Sequence, residues 1–246
     1  MEFIKTDSKA FSAGILALGI ILAVVVGGSF AYSIRGLDYT MSATGSARQS
    51  VSADTAKWVI AVTRTVPVYS LASGYAQVAK DIELTKKFLA EEKFTSEDIT
   101  TSVVSMEQYY GYGSDQKSSS EREYVLRQTV TINSKDVQKV DNAAKKMGNL
   151  VSQGVLASIQ SLEYTVSGLN EMRISMLEAA TKDARARVEK IAKSGGRGVG
   201  ELRSAASGVV QVLPKGSLEI SDYGSYDTSS IEKEVMVTVR ATFTIE

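Results

Sequence analysis

Glu234-Val235-Met236-Val237-Thr238-Val239-Arg240-Ala241-Thr242-Phe243-Thr244-Ile245 is the stretch that decides the fold class. Its apolar residues Val235, Val237, Val239, Ala241, Phe243 and Ile245 alternate with Glu234, Met236, Thr238, Arg240, Thr242 and Thr244. A period of two puts one set on each face of a β-strand, one face buried and the other wet or at an interface. Such a strand needs a sheet and a covering layer.

Working back from it, residues 204–213 read as a strand ended by Pro214, with a polar loop over 215–230. Before them, a helix is expected from about Asn170 to Lys193, with the stripe Leu177, Ala180, Ala184, Val188 and Ile191, stopped by Gly195-Gly196. Residues 155–166 read as a strand, and 135–150 as a helix opened by Ser134 and Asp136. Residues 124–132 and 99–109 read as strands around the Gly/Ser-rich loop 110–121. A helix from Ser73 to about Phe94 carries Val78, Ile82, Thr85, Phe88 and Leu89 on one side. Strands at 57–66, with Trp58, Ile60 and Val62 inward and Pro67 closing it, and at 37–48 complete the set. Helices among short-linked strands predict an α+β fold with mixed or antiparallel sheets and packed helices.

A different segment precedes this domain. Residues 10–34 contain no charge, and Phe11 to Tyr32, FSAGILALGIILAVVVGGSFAY, is long enough to span a hydrocarbon core of about 30 Å. The expected layout is a short tail (1–9), a transmembrane anchor or uncleaved signal (10–34) and an extracytoplasmic domain (35–246). A cleavable signal peptide is the rival, since Ser29-Phe30-Ala31 fits a small-x-small site. Gly19, Ala23, Gly27 and Ala31 recur every four residues and are candidates for helix–helix packing in the membrane.

The 246 residues hold 28 Lys plus Arg and 28 Asp plus Glu, with no Cys and no His. A balanced charge lacks the basic field on which nucleic-acid affinity rests, so nucleic acid is not an expected partner. The missing Cys and His remove disulfides, thiolate nucleophiles and the commonest metal ligand and general base. No catalytic, cofactor or metal site is therefore assigned, and none of those ligands is expected.

Three patterns resemble active-site motifs and are better read structurally. Glu178, Lys182, Asp183, Arg185, Arg187, Glu189 and Lys193 form acid-first i,i+4 pairs, the arrangement of a solvated helix face. Ser114-Asp115-Gln116-Lys117 has the S-x-x-K spacing without its companion motifs. Gly195 to Gly200 follows a helix rather than a strand, so it reads as a turn rather than a phosphate loop. Tyr109, Tyr110 and Tyr112, with Tyr223 and Tyr226, are the interface candidates, because tyrosine couples apolar area to a polar tip.

The order of local motifs is similar to that of the SIMPL domain family. They are Ala43-Thr44-Gly45, Asp54, Ser96 to Thr101, Tyr109-Tyr110-Gly111-Tyr112, Ser134-Lys135-Asp136-Val137, Glu178-Ala179-Ala180 and Asp183-Ala184-Arg185. The resemblance covers nearly all of 37–246. It departs from the family at Ala53-Asp54, where many members have Pro-Asp, and in keeping an apolar segment where many have a cleaved signal. The resemblance implies a periplasmic or surface protein, a ring-like or channel-like homo-oligomer of many subunits and links to stress tolerance and surface antigenicity. It carries over no catalytic residues.

The resulting expectation is a single-pass bacterial inner-membrane protein, held in the membrane lipid by its N-terminal helix, that assembles with itself at the cell envelope as a ring or cage. A monomeric or small-oligomer periplasmic binding module for a peptide or envelope component is the alternative. A carboxylate or Ser-Lys hydrolase is the remote third.

Overall fold

The computed structural model describes residues 8–35, 39–110, 122–217 and 223–246, with side chains of the first helix described from 12 to 30. Helix α1 spans Ser8–Arg35. The remaining elements are β1 Thr40–Ser52, β2 Thr55–Pro67, α2 Leu71–Glu91, β3 Ile99–Thr101, β4 Ser105–Gln108, β5 Glu123–Ser134, α3 Val137–Lys145 and α4 Gly148–Ser152. They continue with β6 Ala157–Thr165, α5 Leu169–Ser194, β7 Val199–Ser207, β8 Gln211–Pro214 and β9 Glu232–Ile245. The fold is α+β, and its two sheets are antiparallel.

The chain divides into two compact units, each discontinuous in sequence. Unit 2 (Arg48–Ile174 and Val209–Met236) holds a sheet in the order β3-β5-β2-β6, with β4 beside β5. Trp58, Ile60 and Val62 of β2 lie opposite Ile132, Val130 and Gln128 of β5. All three, with Leu126, Val130 and Ile132, are buried under Val78, Ile82, Phe88 and Leu89 of α2 and Val140 and Leu150. Arg64 points to this inner face and binds Asp81 of α2 through two hydrogen bonds, at 2.6 and 3.0 Å. The same guanidinium donates to the Gly154 carbonyl at 2.7 Å, so one side chain ties β2, α2 and the turn before β6 together. Removing Asp81 alone would leave a part-buried charge uncompensated, a change that typically costs about 3–5 kcal/mol.

Unit 1 (Met1–Ala47, Ser175–Gly208 and Val237–Glu246) has a smaller core. Val239, Ala241 and Phe243 of β9 pack against Ala180, Ala184 and Val188 of α5. The odd-numbered residues of β9 are the more buried set, as expected, but Met236, expected on the other face, is buried as well.

The structure corrects several element boundaries. The strand expected over 99–109 is two, β3 and β4, because Ser102 breaks the ladder by turning its hydroxyl to Thr129 N–H. The helix expected over 135–150 is α3 and α4, separated at Lys146-Met147 by a tighter turn. The strand expected over 204–213 is β7 and β8, which pair with successive parts of β9 on either side of Gly208. Strand β7 also starts earlier, at Val199, inside the glycine run read as a turn. Helix α2 stops at Glu91 because Lys93 adopts φ 70°, letting Phe94 N–H return to the Leu89 carbonyl. On α5 the inward position is Ala192; Ile191 is half exposed.

Candidate functional site

Several motifs spread along the sequence gather into two clusters, and a third cluster lies outside them. The first lies in unit 1, where α5 crosses β1 at Gly45. A Cβ added there would sit 2.1 Å from the Ala180 carbonyl oxygen and 2.3 Å from the Ala184 nitrogen. Backbone therefore meets backbone, a contact that only glycine on one side and alanines on the other permit. Beside it, Ser46 N–H donates to the Asp183 carboxylate at 2.8 Å. Thr44-Gly45, Ala180 and Asp183-Ala184 thus form one helix-on-strand clamp.

Asp183 also binds Arg187 at 2.9 Å, and Glu178 binds Lys182 at 2.6 Å, as expected of the helix face. The third expected pair is not formed: Glu189 instead takes Arg185 at 2.8 Å, leaving Lys193 without a carboxylate partner among the described residues.

The second cluster, in unit 2, is a polar cleft of about 530 Å³ lined by Thr55, Asp98, Asn133, Ser134, Lys135 and Asp136. A neighbouring depression of about 630 Å³ shares Lys135 and Asp136 and adds Ser52, Ala53, Gln138 and Glu232. Asp136 caps α3 by accepting Lys139 N–H at 2.9 Å. Asp98 accepts the Thr95 N–H and hydroxyl, both at 2.9 Å, and these bonds hold its carboxyl below the usual range. Nearby, Asp54 accepts Ser167 N–H at 2.8 Å and binds the Ser167 hydroxyl, which fixes the turn from β6 into α5. Those bonds, the Ser167 hydroxyl foremost, hold its carboxyl below the usual range too.

The third cluster was missed by sequence reasoning. Lys233 sits in the inward register of β9 and is fully buried. Its ammonium donates to the Asp227 carboxylate at 3.0 Å and the Asp227 carbonyl at 2.7 Å. Asp227 further accepts Ser229 N–H at 3.0 Å and hydroxyl at 2.7 Å, Ser230 N–H at 3.2 Å and the Ser230 hydroxyl. Burial alone would raise the Asp227 pKa, but the Ser230, Ser229 and Lys233 hydrogen bonds outweigh it and hold the carboxyl well below the usual range. A signal was present: Lys233 is in phase with Val235 and Val237, so alternation already put a charge on the buried face.

A family model for SIMPL, described as "Protein of unknown function (DUF541)", matches residues 41–243. The chain belongs to the SIMPL family. The matched span takes in all three clusters, and the description assigns the SIMPL domain no activity. A comparison with curated proteins returned no match.

The carboxylates whose acidity is clearly displaced, Asp54, Asp98, Asp141, Glu178 and Asp227, are all pushed toward the ionised form. None of them is tuned toward neutral pH in the way a general acid or base needs. No group of three or more acidic side chains among the described residues is placed to hold a metal ion.

The remaining candidates are placed as follows. Tyr109 ends β4's partnership, its N–H donating to Glu123, and Tyr110 beyond it is largely exposed. Tyr112 and Ser114 to Lys117 lie outside the described residues. Tyr223 is almost wholly exposed, whereas Tyr226 is half-buried in a bridge with Val212, its hydroxyl accepting Val166 N–H at 3.5 Å. In α1, Ser12–Phe30 is apolar and long enough to cross a membrane, and none of the described residues buries it. Gly19, Ala23 and Gly27 lie exposed along it, and Ala31 follows with its side chain outside the described residues.

Proposed function

We propose that this SIMPL protein is a membrane-tethered, non-enzymatic assembly module whose extracytoplasmic domain pairs with further copies of itself through strand edges. The observation that carries the reading is β7. Among the described residues it pairs only with β9, and every residue from Glu201 to Ser207 is exposed. An open edge is a template for another strand, and proteins that avoid pairing blunt it with charge, bulges or proline. The first half of β7 is blunted in this way, by Glu201, Arg203 and two register shifts. Ser204-Ala205-Ala206-Ser207 is regular, small and uncharged.

Within unit 1 the opposite edge, β1, is partly closed by Asp183 on Ser46 N–H. Pairing of β7 with a different edge of the next copy gives a head-to-tail interface, and repetition of such an interface closes into a ring. Anchors on each copy then hold the assembly to the bacterial inner membrane by avidity.

Gly208 N–H donates to Thr238, so alternate groups turn the Ala205 N–H away from β9. Ala205→Pro therefore removes an outward donor while leaving the β7–β9 ladder intact. The expected result is a large, uniform particle for the detergent-extracted chain and for a fragment beginning at Arg35, reduced to monomer by Ala205→Pro with unchanged secondary structure. Monomers of the unaltered chain at every concentration would sink the assembly reading.

A binding module is the second reading, favoured by an apolar groove of about 380 Å³ between α5 and β7, lined by Leu177, Leu202 and Phe243. An extended peptide could add to β7 with a side chain in that groove. A monomeric chain that binds extended peptides would select this reading.

A further inference from the structure

We propose that the end of unit 1 formed by Tyr39 and the α5–β7 turn lies on the membrane surface, where Arg197 and Lys193 contact anionic phospholipid headgroups. This rests on the reading of α1 as a retained anchor.

Covalent reach supplies the first part of the argument. The apolar window of α1 ends at Phe30, and five further helical residues reach Arg35. Five residues of helix rise roughly 7.5 Å, comparable to one headgroup layer. Four residue steps separate Arg35 from Tyr39, and an extended chain covers no more than about 14 Å in that distance. Tyr39 is therefore held close to the headgroups whatever path residues 36–38 take.

Hydrogen bonds then bring distant parts of the sequence to the same level. Ile245 N–H donates to the Tyr39 carbonyl at 2.8 Å. Gly198 and Glu246 exchange N–H···O bonds of 2.9 and 3.0 Å. The start of β1, the end of β9 and the start of β7 thus form one end of the sheet. The turn from α5 joins them, since Arg197 N–H donates to the Ala192 carbonyl at 2.9 Å.

The chemistry at this end suits an interface. The Arg197 guanidinium lies 5.6 Å from the centre of the Tyr39 ring, and both residues are exposed. Tyrosine favours the membrane–water boundary, and arginine pairs with phosphate through parallel N–H donors. Neither Arg197 nor Lys193, in the last turn of α5, has a carboxylate partner among the described residues. Among the described residues at this end Glu246 is acidic, and its carboxylate lies back along β7 against Gly200.

The absence of native cysteine allows a direct test on the full chain in vesicles. Single cysteines replace Ser194, in the turn, or Ser207, which lies opposite Val239 and so roughly 20 Å up the strand from Ile245. Each carries a fluorophore, and the vesicles contain a headgroup-located quencher, with or without phosphatidylglycerol. The expected result is several-fold stronger quenching at 194 than at 207, reduced by Arg197→Ala and by omitting phosphatidylglycerol. Equal quenching at the two sites, or none at 194 in protein that resists alkaline extraction, overturns the proposal. Quenching indifferent to both lipid charge and Arg197→Ala also overturns it, because proximity then comes from the tether alone. Release by the alkaline wash removes the anchor itself and the proposal with it.

Discussion

The two units of this SIMPL protein are held together by different means. Unit 2 relies on bulk: Trp58, Ile60, Leu126, Ile132 and Leu150 are fully enclosed and interlock with α2. Unit 1 relies on closeness: Ala180, Ala184 and Ala241 bring α5 down until its backbone touches Gly45. A core of large side chains has rotamers with which to absorb an intruding atom. A backbone contact has none, so the two units should respond very differently to the same small insult.

The sharpest way to break that comparison is Gly45→Val. With peptide atoms 2.1 and 2.3 Å from the new Cβ, nothing flexible can yield, and unit 1 should fail to form its helix-on-strand packing. Loss of hydrogen-exchange protection in α5 and β9 would register it; retained protection would show that α5 can ride outward at little cost. Next in size is Asp227→Asn, which strands the buried Lys233 ammonium in unit 2 and should cost about 3–5 kcal/mol in denaturant unfolding. Lys233→Met on top of it should recover much of the loss.

The same pair sets a pH dependence. Asp227 has its pKa lowered on folding, so its stabilisation is complete above the unfolded-state value, about 3.9. It is lost as pH falls below that value. Unfolding midpoints should therefore decline steeply in acid, and less steeply in the double variant.

Gly74→Ala is the counterpart of the first test. Its Cβ would meet only side chains, Val66 at 2.8 Å and Leu126 at 2.9 Å, which can shift. A cost of about 1 kcal/mol is expected, partly offset by the helix preference for alanine. Smallest of all, Glu189→Ala removes a half-exposed pair with Arg185 and should change stability by a few tenths of a kcal/mol.

Legibility in the sequence followed the same division. The stripe Val78, Ile82, Thr85, Phe88 and Leu89 was readable because large residues at helical spacing announce a buried face. The alternation of β9 was readable for the same reason. The breaks between β3 and β4 and between β7 and β8 were not, since they arise from cross-strand partners that local composition does not record. Ile191 misled because hydrophobicity ranked it above Ala192, while α5 needs a small residue on its inner side. The motifs Gly45, Ala180 and Ala184 were recognised as a family pattern, but their meaning became clear only when their atoms were seen to touch.

That contact also constrains how such a protein can diverge. A packed side chain offers neighbouring solutions, each one substitution away, so lineages can drift through them. A seam whose essential feature is a missing methyl group has no intermediate to pass through. The crossing of α5 over β1 should be the slowest-changing part of the molecule, and its glycine the surest marker for finding distant descendants.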